Sequence, residues 1–483
     1  MKKLIKLSIY LIILIPFNAF NQSQSVIVWE DTISVAQGST YGNTRPRIVL
    51  NSQDEPVVVF GRNTDGSLHT AKFNGSDFDP PVQITPTGFQ SYLANWTGPE
   101  IDASGDNIMI VFKENPIQEG HVYSVRSTDG GNSFSDPLRT DSHPVGVAWL
   151  PNIAFDNNGN PSVIYMVHDQ VWLNPRYVVS HSNDGGITFN PEQEVTSIVP
   201  DEACDCCPAT IAKKDNLQAL IFRNNEGSIR DVFAVKSQDG GQSFSEYENI
   251  DYLNWMINQC PSTGPDAFID DNHLFAVSAS QASGRYRCYI SKTDMVNTQS
   301  PETGFMLPAP ESSVGNANFP RIHGKSDSLF VVWQASETSN YEVYCAFASG
   351  DDFSTFEESK SQVNLVTSGT QSNPDLYYRN GYIHVVFQDG ISGNVIYRRG
   401  RISALGVEEN QNRDVLIYPN PANDLIHIEG VDGPSTYKIL SLDGKELETG
   451  EISKNNTNIW VKELTPGSYI LTLNKKTYSI EKQ

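Results

Sequence analysis

The chain alternates between short apolar runs and polar turns for most of its length. A proline-led run, Pro46–Leu50, is followed after a polar turn by a second apolar run, Pro56–Phe60. Apolar runs of about four to eight residues bounded by Gly, Pro, Asn and Asp predict β-strands. The same pair of runs recurs along the chain, and its first prolines are Pro46, Pro99, Pro151, Pro208, Pro265, Pro320 and Pro374.

The spacing of these prolines predicts the architecture. Successive positions differ by 53, 52, 57, 57, 55 and 54 residues. A period of this length, with about four short strands per repeat, is typical of a β-propeller. We therefore predict an all-β, seven-bladed propeller in which the two runs are strands A and B of each blade. The run Val26–Ile33 precedes the first repeat and the last repeat ends after strand C, so Val26–Ile33 is predicted to supply strand D of the seventh blade and close the ring.

A second signature marks the turn from strand C to strand D. It reads S-x-D-G-G-x-[ST]-F and occurs at Ser127–Phe134, Ser182–Phe189 and Ser237–Phe244. Asp accepts backbone N–H bonds in such a turn and Gly supplies positive φ, which indicates a structural role. Turns from C to D leave one face of a propeller, and the D-to-A and B-to-C connections leave the other. We expect the chemistry on this second face, which we call the front face.

The N-terminus and the charge limit where the protein works. Met1–Lys6 is basic and Leu7–Phe17 is apolar, which predicts a secretory signal peptide over residues 1–24; the alternative is a buried N-terminal strand. The apolar run is too short for a transmembrane helix and no later segment qualifies. The formal charge of −23 argues against a nucleic-acid partner. A local basic cleft could still bind an acidic polysaccharide.

The character of the chain changes after the repeats. The propeller is predicted to span residues 25–405, a polar linker 406–414, and a small β-sandwich 415–483. The motifs YPNPA at Tyr418–Ala422, DGK at Asp443–Lys445 and LTPGSY at Leu464–Tyr469 closely resemble the C-terminal sorting domain of the type IX secretion system. The resemblance implies that the type IX machinery is a partner and that the protein is extracellular or attached to the cell surface. The alternative is a sandwich that binds carbohydrate.

The front-face connections are rich in His, Arg and Trp, and no carboxylate pair stands out among them. This combination suits proton abstraction beside a carboxylate: Arg neutralises a uronate, His or Tyr removes the C5 proton, and a second group protonates the leaving oxygen. Trp rings can stack on sugars. No cofactor is expected for catalysis. The candidate catalytic residues are His121, His143, His168, Tyr177, Arg223 and Arg230, and the candidate substrate-binding residues are Arg45, Trp96, Trp149, Trp172, Arg176 and Asn224.

A seven-bladed propeller with His121 in blade 2 and His143 in the following D-to-A connection resembles the ulvan lyases of polysaccharide lyase families 24 and 25. The resemblance implies a His pair, a Tyr and an Arg in a canyon, and a sulfated, uronate-containing substrate cleaved by β-elimination. It assigns His121 and His143 as the pair. The carboxylate neutraliser is then Arg223 or Arg230, and the Tyr is Tyr177 or Tyr165. A monomer is expected.

Two other functions stay open on the sequence. The Asp-Gly-Gly turns resemble those of sialidases, which would make the protein a sialidase-like exo-glycosidase. That family is expected to have fewer blades, a Tyr/Glu nucleophile pair and an arginine triad. The other alternative is a non-catalytic propeller that binds glycan or protein at the cell surface.

Four cysteines are expected to lie close together on the front face. Cys204, Cys206 and Cys207 precede strand A of blade 4, and Cys260 occupies the equivalent connection of the next blade. They predict either a disulfide to Cys260 or a structural zinc site. Cys288 and Cys345 fall in strand C of blades 5 and 6 and are predicted to be separate buried thiols.

Overall fold

The protein is described here by a computed structural model that covers residues 25–38, 42–143, 147–169, 172–297, 301–336, 340–349, 352–404, 416–429, 435–442, 444–453, 457–473 and 476–483. The predicted signal peptide at 1–24 and the predicted linker at 406–414 lie outside these residues. The chain divides into one unit at Ser25–Ser403 and a second that includes Ala404–Gln483. No helix within the described ranges is long and apolar enough to cross a membrane.

The first unit is a ring of seven antiparallel sheets in the described part of the chain, which confirms the predicted all-β propeller. Strands A, B, C and D follow one another across each sheet. The A strands are Asn43–Leu50, Glu100–Ser104, Val147–Phe155, Thr210–Lys214, Asp266–Asp270, Ala317–Lys325 and Gln371–Arg379. The B strands are Pro56–Arg62, Asn107–Lys113, Pro161–His168, Leu217–Asn225, His273–Ser280, Ser328–Ser336 and Tyr382–Asp389. The C strands are Leu68–Lys72, Val122–Ser127, Arg176–His181, Val232–Ser237, Arg287–Asp294, Tyr341–Ser349 and Val395–Ala404.

The D strands are shorter and complete the blades. They are Val82–Gln83, Leu138–Arg139, Gln193–Glu194, Glu246–Asn249, Glu302–Met306, Ser361–Gln362 and, for blade 7, Ser25–Ala36. Blade 4 carries one more strand, Glu202–Ala203, beside the end of its strand B. Two short helices, Thr196–Ile198 and Thr355–Ser359, lie in the connections.

The ring closes in two ways. Each strand A contacts the strand A of the next blade, and that of blade 7 contacts that of blade 1. Ser25–Ala36 pairs with Val395–Ala404, which confirms the predicted closure by the N-terminal run. The Arg398 guanidinium adds a hydrogen bond of 2.7 Å from Nε to the Glu30 carbonyl. Both ends of the propeller sequence are therefore held within one blade, where Ser25–Ala36 covers the outer side of strand C.

The recurring proline does not stand at the start of strand A in every blade, as the sequence suggested. In blades 1, 3, 6 and 7 the strand begins earlier and its register shifts at the proline. The residue before each of these prolines has positive φ, between 51 and 53°; these residues are Arg45, Leu150, Phe319 and Asn373. The proline thus sits in a β-bulge, where the ladder needs no donor from it.

Polar side chains on strand A join neighbouring blades near the axis. Each accepts a hydrogen bond from a backbone N–H of the next strand A. The pairs are Asp375 with Ile48 N at 2.9 Å, Asp102 with Phe155 N at 2.7 Å, Asn152 with Ile211 N at 3.1 Å, and Asp266 with Ile322 N at 2.8 Å. These bonds fix the rotation of one blade against the next at four of the junctions.

A buried ion-pair network spans the same axis. Glu100 accepts from Arg47 Nε at 3.0 Å, from Arg321 Nη2 at 3.0 Å, and from Arg45 Nη2 at 3.4 Å. Burial alone raises the pKa of Glu100, but the charges of Arg47, Arg321 and Arg45 outweigh it and hold the pKa at about 2. Arg321 also donates to Asp375 at 2.9 Å. The network links blades 1, 2, 6 and 7 across the centre of the ring.

The second unit is a small β-sandwich in its described residues, as predicted. One sheet contains Leu416–Tyr418, Leu425–Glu429 and Asn458–Trp460, and the other contains Glu446–Ile452, Ser435–Leu440, Gly467–Leu473 and Lys476–Lys482. Ile426 and Ile428 from the first sheet share a core with Ile439 and Leu471 from the second. Burial of alternate positions on facing strands holds the two sheets together.

Replacing Asp266 with Asn tests the axial junctions. The Asp266 side chain is buried, and burial raises its pKa to about 6 despite the Arg321 charge. A carboxyl whose pKa is raised on folding makes the wild type less stable as pH rises from about 4 to 7. The Asn variant keeps an acceptor for Ile322 N and lacks this titration. We therefore expect the free energy of unfolding of the wild type, relative to that of the variant, to fall by about 2–3 kcal/mol from about pH 4 to 7. Urea titrations measure this difference.

The matched control is Asp271→Asn, since Asp271 lies in the following turn with its side chain 78% exposed. This variant removes a solvent-exposed carboxylate and leaves the axial junction unchanged. If the difference in free energy of unfolding between wild type and Asp266→Asn did not change with pH, the Asp266 carboxyl would titrate normally and the junction would not be desolvated.

Candidate functional site

Blade 2 carries a partly exposed histidine whose ring is hydrogen-bonded to a buried carboxylate. His121 directly precedes strand C, and Asp141 follows strand D, so both lie at the front end of one blade. The Asp141 side chain is fully enclosed and accepts from Val122 N at 2.7 Å, Arg139 Nη2 at 3.0 Å and His121 Nδ1 at 3.2 Å. The His121 side chain is 35% exposed, and its Nε2 has no partner among the described residues. With Nδ1–H donated to Asp141, Nε2 carries the lone pair and can act as a base.

Arg139 lies beside this histidine, and some of its guanidinium N–H groups make no hydrogen bond to the described protein. Its side chain is 44% exposed, and its Nη2 alone makes the bonds to Asp141 and to the His143 carbonyl at 3.1 Å. Nε and Nη1 have no protein partner in the described ranges. An exposed guanidinium with free N–H groups can take a carboxylate or sulfate.

His143 has a different environment from His121. Its Nδ1 donates to Glu192 Oε1 at 2.8 Å and its Nε2 to the His168 carbonyl at 3.2 Å. The hydrogen bond to Glu192 is the largest cause of the raised pKa of His143. Both ring nitrogens face acceptors, which favours the doubly protonated imidazolium. His143 is therefore nearly enclosed, and both of its ring nitrogens are engaged by the protein.

Four aromatic rings form a patch next to these groups. We call Tyr92, Trp96, Trp149 and Trp172 the aromatic patch. Trp149 is buried at its centre, with ring centroids 5.1 Å from Trp172, 5.7 Å from Trp96 and 6.4 Å from Tyr92. Trp172 is 38% exposed and Trp96 is half-buried. The patch is tied to the His121 segment, since Tyr92 N donates to Lys113 O and Glu114 N donates to His121 O.

Several residues predicted to contact substrate lie beneath the front surface. Tyr177 is enclosed and donates its hydroxyl to Cys207 O at 2.6 Å. Arg223 is 1% exposed, donates to the carbonyls of Thr263, Ala279 and Arg230, and lies over the Trp255 ring. Asn224 donates to Pro200 O at 2.9 Å. The hydrogen bonds of Tyr177 and Arg223 are made to the protein, whereas the Asn224 Oδ1 atom is buried without a partner among the described atoms.

Three further candidates support the site from below. His168 is fully buried, accepts from Trp149 Nε1 at 3.2 Å, and has a pKa lowered to about 4 by burial. Trp149 is the buried centre of the aromatic patch, and Arg45 belongs to the axial network. All three are less than 5% exposed.

Two predicted arginines remain nearer the surface. Arg176 pairs with Asp169 at 2.7 Å and with Glu194 at 3.6 Å. Arg230 is 9% exposed, and its Nε and Nη1 are buried without a hydrogen-bond partner among the described atoms. Tyr165, the alternative tyrosine, is enclosed and donates to Glu192 Oε2 at 2.9 Å.

Sequence reasoning missed Arg139, Asp141 and Glu192. Asp141 bonds His121 at the front end of blade 2, and Glu192, directly before strand D of blade 3, bonds His143. A signal was present for one of them: Asp141 lies two residues before His143 in the same connection.

The cysteine cluster contains a disulfide between Cys206 and Cys260. Cys204 and Cys207 are free and buried, and Cys288 and Cys345 are buried thiols as predicted. The Sγ atoms of Cys204, Cys206 and Cys207 lie within 4.8 Å of one another. A zinc site built from all four cysteines does not fit this arrangement, since two of the four sulfurs are bonded to each other.

Comparison with known proteins gives one family match. Residues 416–483 match the family described as the secretion system C-terminal sorting domain, which agrees with the resemblance of the C-terminal motifs. The chain therefore carries a sorting domain of a secretion system. A search of curated protein sequences finds no match.

Solved structures with similar folds include a protein of unknown function from Dyadobacter fermentans DSM 18053, with 14% identity, a TM-score of 0.47, and coverage of 78% of this chain and 99% of that one. A PL25 ulvan lyase has 10% identity, a TM-score of 0.49, and coverage of 77% and 96%. An α-L-arabinofuranosidase from Fusarium graminearum has 10% identity, a TM-score of 0.41, and coverage of 77% and 98%.

Replacing Glu192 with Gln tests the charge on His143. The variant loses the carboxylate that raises the pKa of His143, so this pKa should fall, as measured by NMR titration of the histidine ring. A histidine whose pKa is raised on folding stabilises the fold below about pH 6.5, and this contribution is lost as pH rises through the folded pKa. Wild type should therefore lose stability relative to the variant over that interval.

Glu194→Gln is the matched control for this prediction. Glu194 is two positions further along, with a 44% exposed side chain that faces Arg176. Its variant should leave the His143 titration unchanged. An unchanged titration in Glu192→Gln as well would show that His143 is not held as a cation by that carboxylate.

Proposed function

We propose that the propeller is an extracellular lyase that cleaves a uronate-containing, sulfated polysaccharide such as ulvan by β-elimination. The observation that carries this proposal is the His121 group: an exposed imidazole with a free Nε2, oriented by the enclosed Asp141, beside the exposed Arg139. A base next to a guanidinium is what abstraction of a proton beside a carboxylate requires. No metal or cofactor is needed for this step.

Each group has a defined task in the reaction. Arg139 binds the uronate carboxylate and stabilises the negative charge that builds up on it. His121 Nε2 takes the C5 proton, and Asp141 stabilises the imidazolium that forms. The electron pair of the C5–H bond becomes the C4=C5 double bond, and the C4–O bond breaks as the leaving oxygen takes a proton from the His121 imidazolium, which returns to its neutral form. The product is a shortened chain with an unsaturated uronate at its new non-reducing end.

His143 has a positioning task in this proposal, in place of the paired base that the resemblance implies. Its carbonyl accepts from Arg139 Nη2, and its own ring is fixed by Glu192 and His168 O. Its positive charge adds to the attraction for an acidic polymer. Arg230, with two unpartnered nitrogens, stays a second candidate for an anionic group of the substrate.

The aromatic patch supplies the sugar-binding surface in this proposal. Trp172 is 38% exposed and Trp96 is half-buried, so both rings have surface that a sugar can reach. Sugar C–H groups pack on such rings, and the chain of the polysaccharide would run from the patch toward Arg139.

We propose that the protein reaches its substrate by export. The predicted signal peptide at 1–24 directs it out of the cytoplasm, and the sorting domain directs it through the type IX machinery. It acts as a monomer, secreted or attached to the cell surface.

The sialidase-like alternative has one observation in its favour, the contact between Tyr165 and Glu192. Tyr165 is fully buried, however, and the three arginines nearest to one another, Arg45, Arg47 and Arg321, all bond Glu100. Neither a nucleophile nor free guanidinium groups would meet a sialic acid there. A non-catalytic glycan-binding propeller would use the aromatic patch alone.

The activity test uses the purified full chain and a panel of uronate polymers that includes ulvan. We expect a rise in the ultraviolet absorbance of unsaturated uronate with the wild type. His121→Ala should lower kcat by about 10²- to 10⁴-fold, because it removes the base. Asp141→Asn should lower kcat as well, because it disturbs the orientation of His121. His273→Ala, at the start of a B strand in blade 5, is the matched control and should keep full activity.

The alternatives have their own outcomes in the same assay. Release of free sialic acid without unsaturated product would favour the exo-glycosidase. Binding of a glycan without any product would favour the non-catalytic propeller. Full activity of His121→Ala would remove His121 from the mechanism.

Replacing Trp172 with Ala tests the sugar-binding surface. One stacked ring contributes about 1 kcal/mol, so KM should rise about five-fold while kcat changes little. Trp460→Ala, which removes a tryptophan of the sorting domain that is 64% exposed, is the control. Equal kinetics for both variants would place the substrate away from the aromatic patch.

A further inference from the structure

We propose that Cys204 and Cys207 form a second disulfide in the exported protein, next to the bridge between Cys206 and Cys260. Their Sγ atoms are 2.6 Å apart. This separation lies between a sulfur–sulfur bond, about 2.05 Å, and the roughly 3.5–4.0 Å that non-bonded carbon atoms keep. Both side chains are 1% exposed, so neither thiol has water as an alternative partner.

The backbone already holds the two residues in position. Cys207 N donates to Cys204 O at 3.2 Å, which closes a tight turn over Cys204–Cys207. Both side chains leave this turn on the same side. Little conformational entropy remains to be lost when the sulfurs join.

Other partners for these thiols are excluded among the described residues. Cys206 Sγ lies 3.8 Å from Cys204 Sγ but is bonded to Cys260. The group that could hold a metal contains only Cys204, Cys206 and Cys207, with no His, Asp or Glu. A tetrahedral zinc would find two free thiolates there, against the four ligands of a structural site. The disulfide is therefore favoured over a metal.

The oxidation balances with a partner of a stated class. Cys204 attacks a disulfide-bonded oxidant of the export compartment as a thiolate, and a mixed disulfide forms. Cys207 then attacks Cys204 Sγ, and the oxidant leaves as a dithiol that carries both electrons and the two protons. Since both thiols are enclosed in the folded chain, the exchange takes place before this loop packs against its blade.

The two bridges together brace the floor of the front face. Cys204 N donates to Arg223 O at 2.9 Å, in strand B of blade 4. Cys207 O accepts from Tyr177, in strand C of blade 3, and Cys260 lies in the connection to blade 5. One short segment is thus linked to three blades. This role depends on export and does not depend on the lyase activity.

Thiol mapping of the full chain tests the proposal. The exported protein is denatured in acid, alkylated with iodoacetamide with or without prior reduction, digested and analysed by mass spectrometry. Without reduction we expect alkylation of Cys288 and Cys345 alone, and a Cys204–Cys207 link that survives in the Cys206→Ser/Cys260→Ser variant. With reduction all six cysteines should be alkylated.

A stability comparison adds an independent arm. Cys204→Ser/Cys207→Ser should lower Tm by several degrees. Reductant should lower the Tm of Cys288→Ser/Cys345→Ser by as much as it lowers the Tm of the wild type. Alkylation of Cys204 and Cys207 without reduction would overturn the proposal. Co-purification of zinc with both of them unlinked would overturn it in favour of a metal site. No substrate enters either arm, so a failure here is separate from a failure of the proposed lyase activity.

Discussion

The structure depends on hydrogen bonds and ion pairs between the innermost strands. Asp375 bonds Ile48 N across the junction where the ring closes, and Arg321 joins Asp375 to Glu100 on the opposite side of the axis. A buried charge without a partner costs several kcal/mol, so each of these groups keeps the others in place. A blade that rotated against its neighbours would leave several charges unpaired at once. The blades are consequently fixed in register, although each one is built from short strands.

This rigid ring explains how irregular segments can hold a precise group of side chains. His121 and Asp141 lie at the two ends of a stretch that contains strands C and D of one blade, and they meet because those strands are paired. His143, in the connection that leads into blade 3, meets Glu192, which directly precedes strand D of that blade. The sheets supply the distances, and the connections supply the chemical groups. Preorganisation of this kind is what a base and a carboxylate-binding group need before substrate arrives.

The sequence allowed the ring to be predicted because its signal is repeated. Regular prolines and paired apolar runs fixed the blades, and the leftover run at Val26–Ile33 could only complete the last one. The site was harder, because it depends on where single side chains point. Tyr177 and Arg223 lie on strands, where successive side chains point to opposite faces of the sheet. An error of one residue in the predicted register therefore changes which side a side chain points to. Their backbone carbonyl partners have no sequence signature. Asp141 and Glu192 were missed because a carboxylate that orients a histidine looks like any other acidic loop residue.

The same distinction applies to the cysteines. Cys206 and Cys260 occupy equivalent connections of adjacent blades, so the repeat correctly predicts that they lie close together. The spacing of the cysteines does not distinguish a disulfide from a metal site. Only the three-dimensional arrangement separates the Cys206–Cys260 bridge from the buried pair behind it.

The most direct test of the account is the structure of the His121→Ala variant with a bound uronate oligosaccharide. We predict that one uronate carboxylate contacts the Arg139 guanidinium, that its C5–H points to the space left by the imidazole, and that a neighbouring sugar packs on Trp172. An oligosaccharide bound over the axis, on the opposite face, or on the front face without contact to Arg139 would contradict the proposed site.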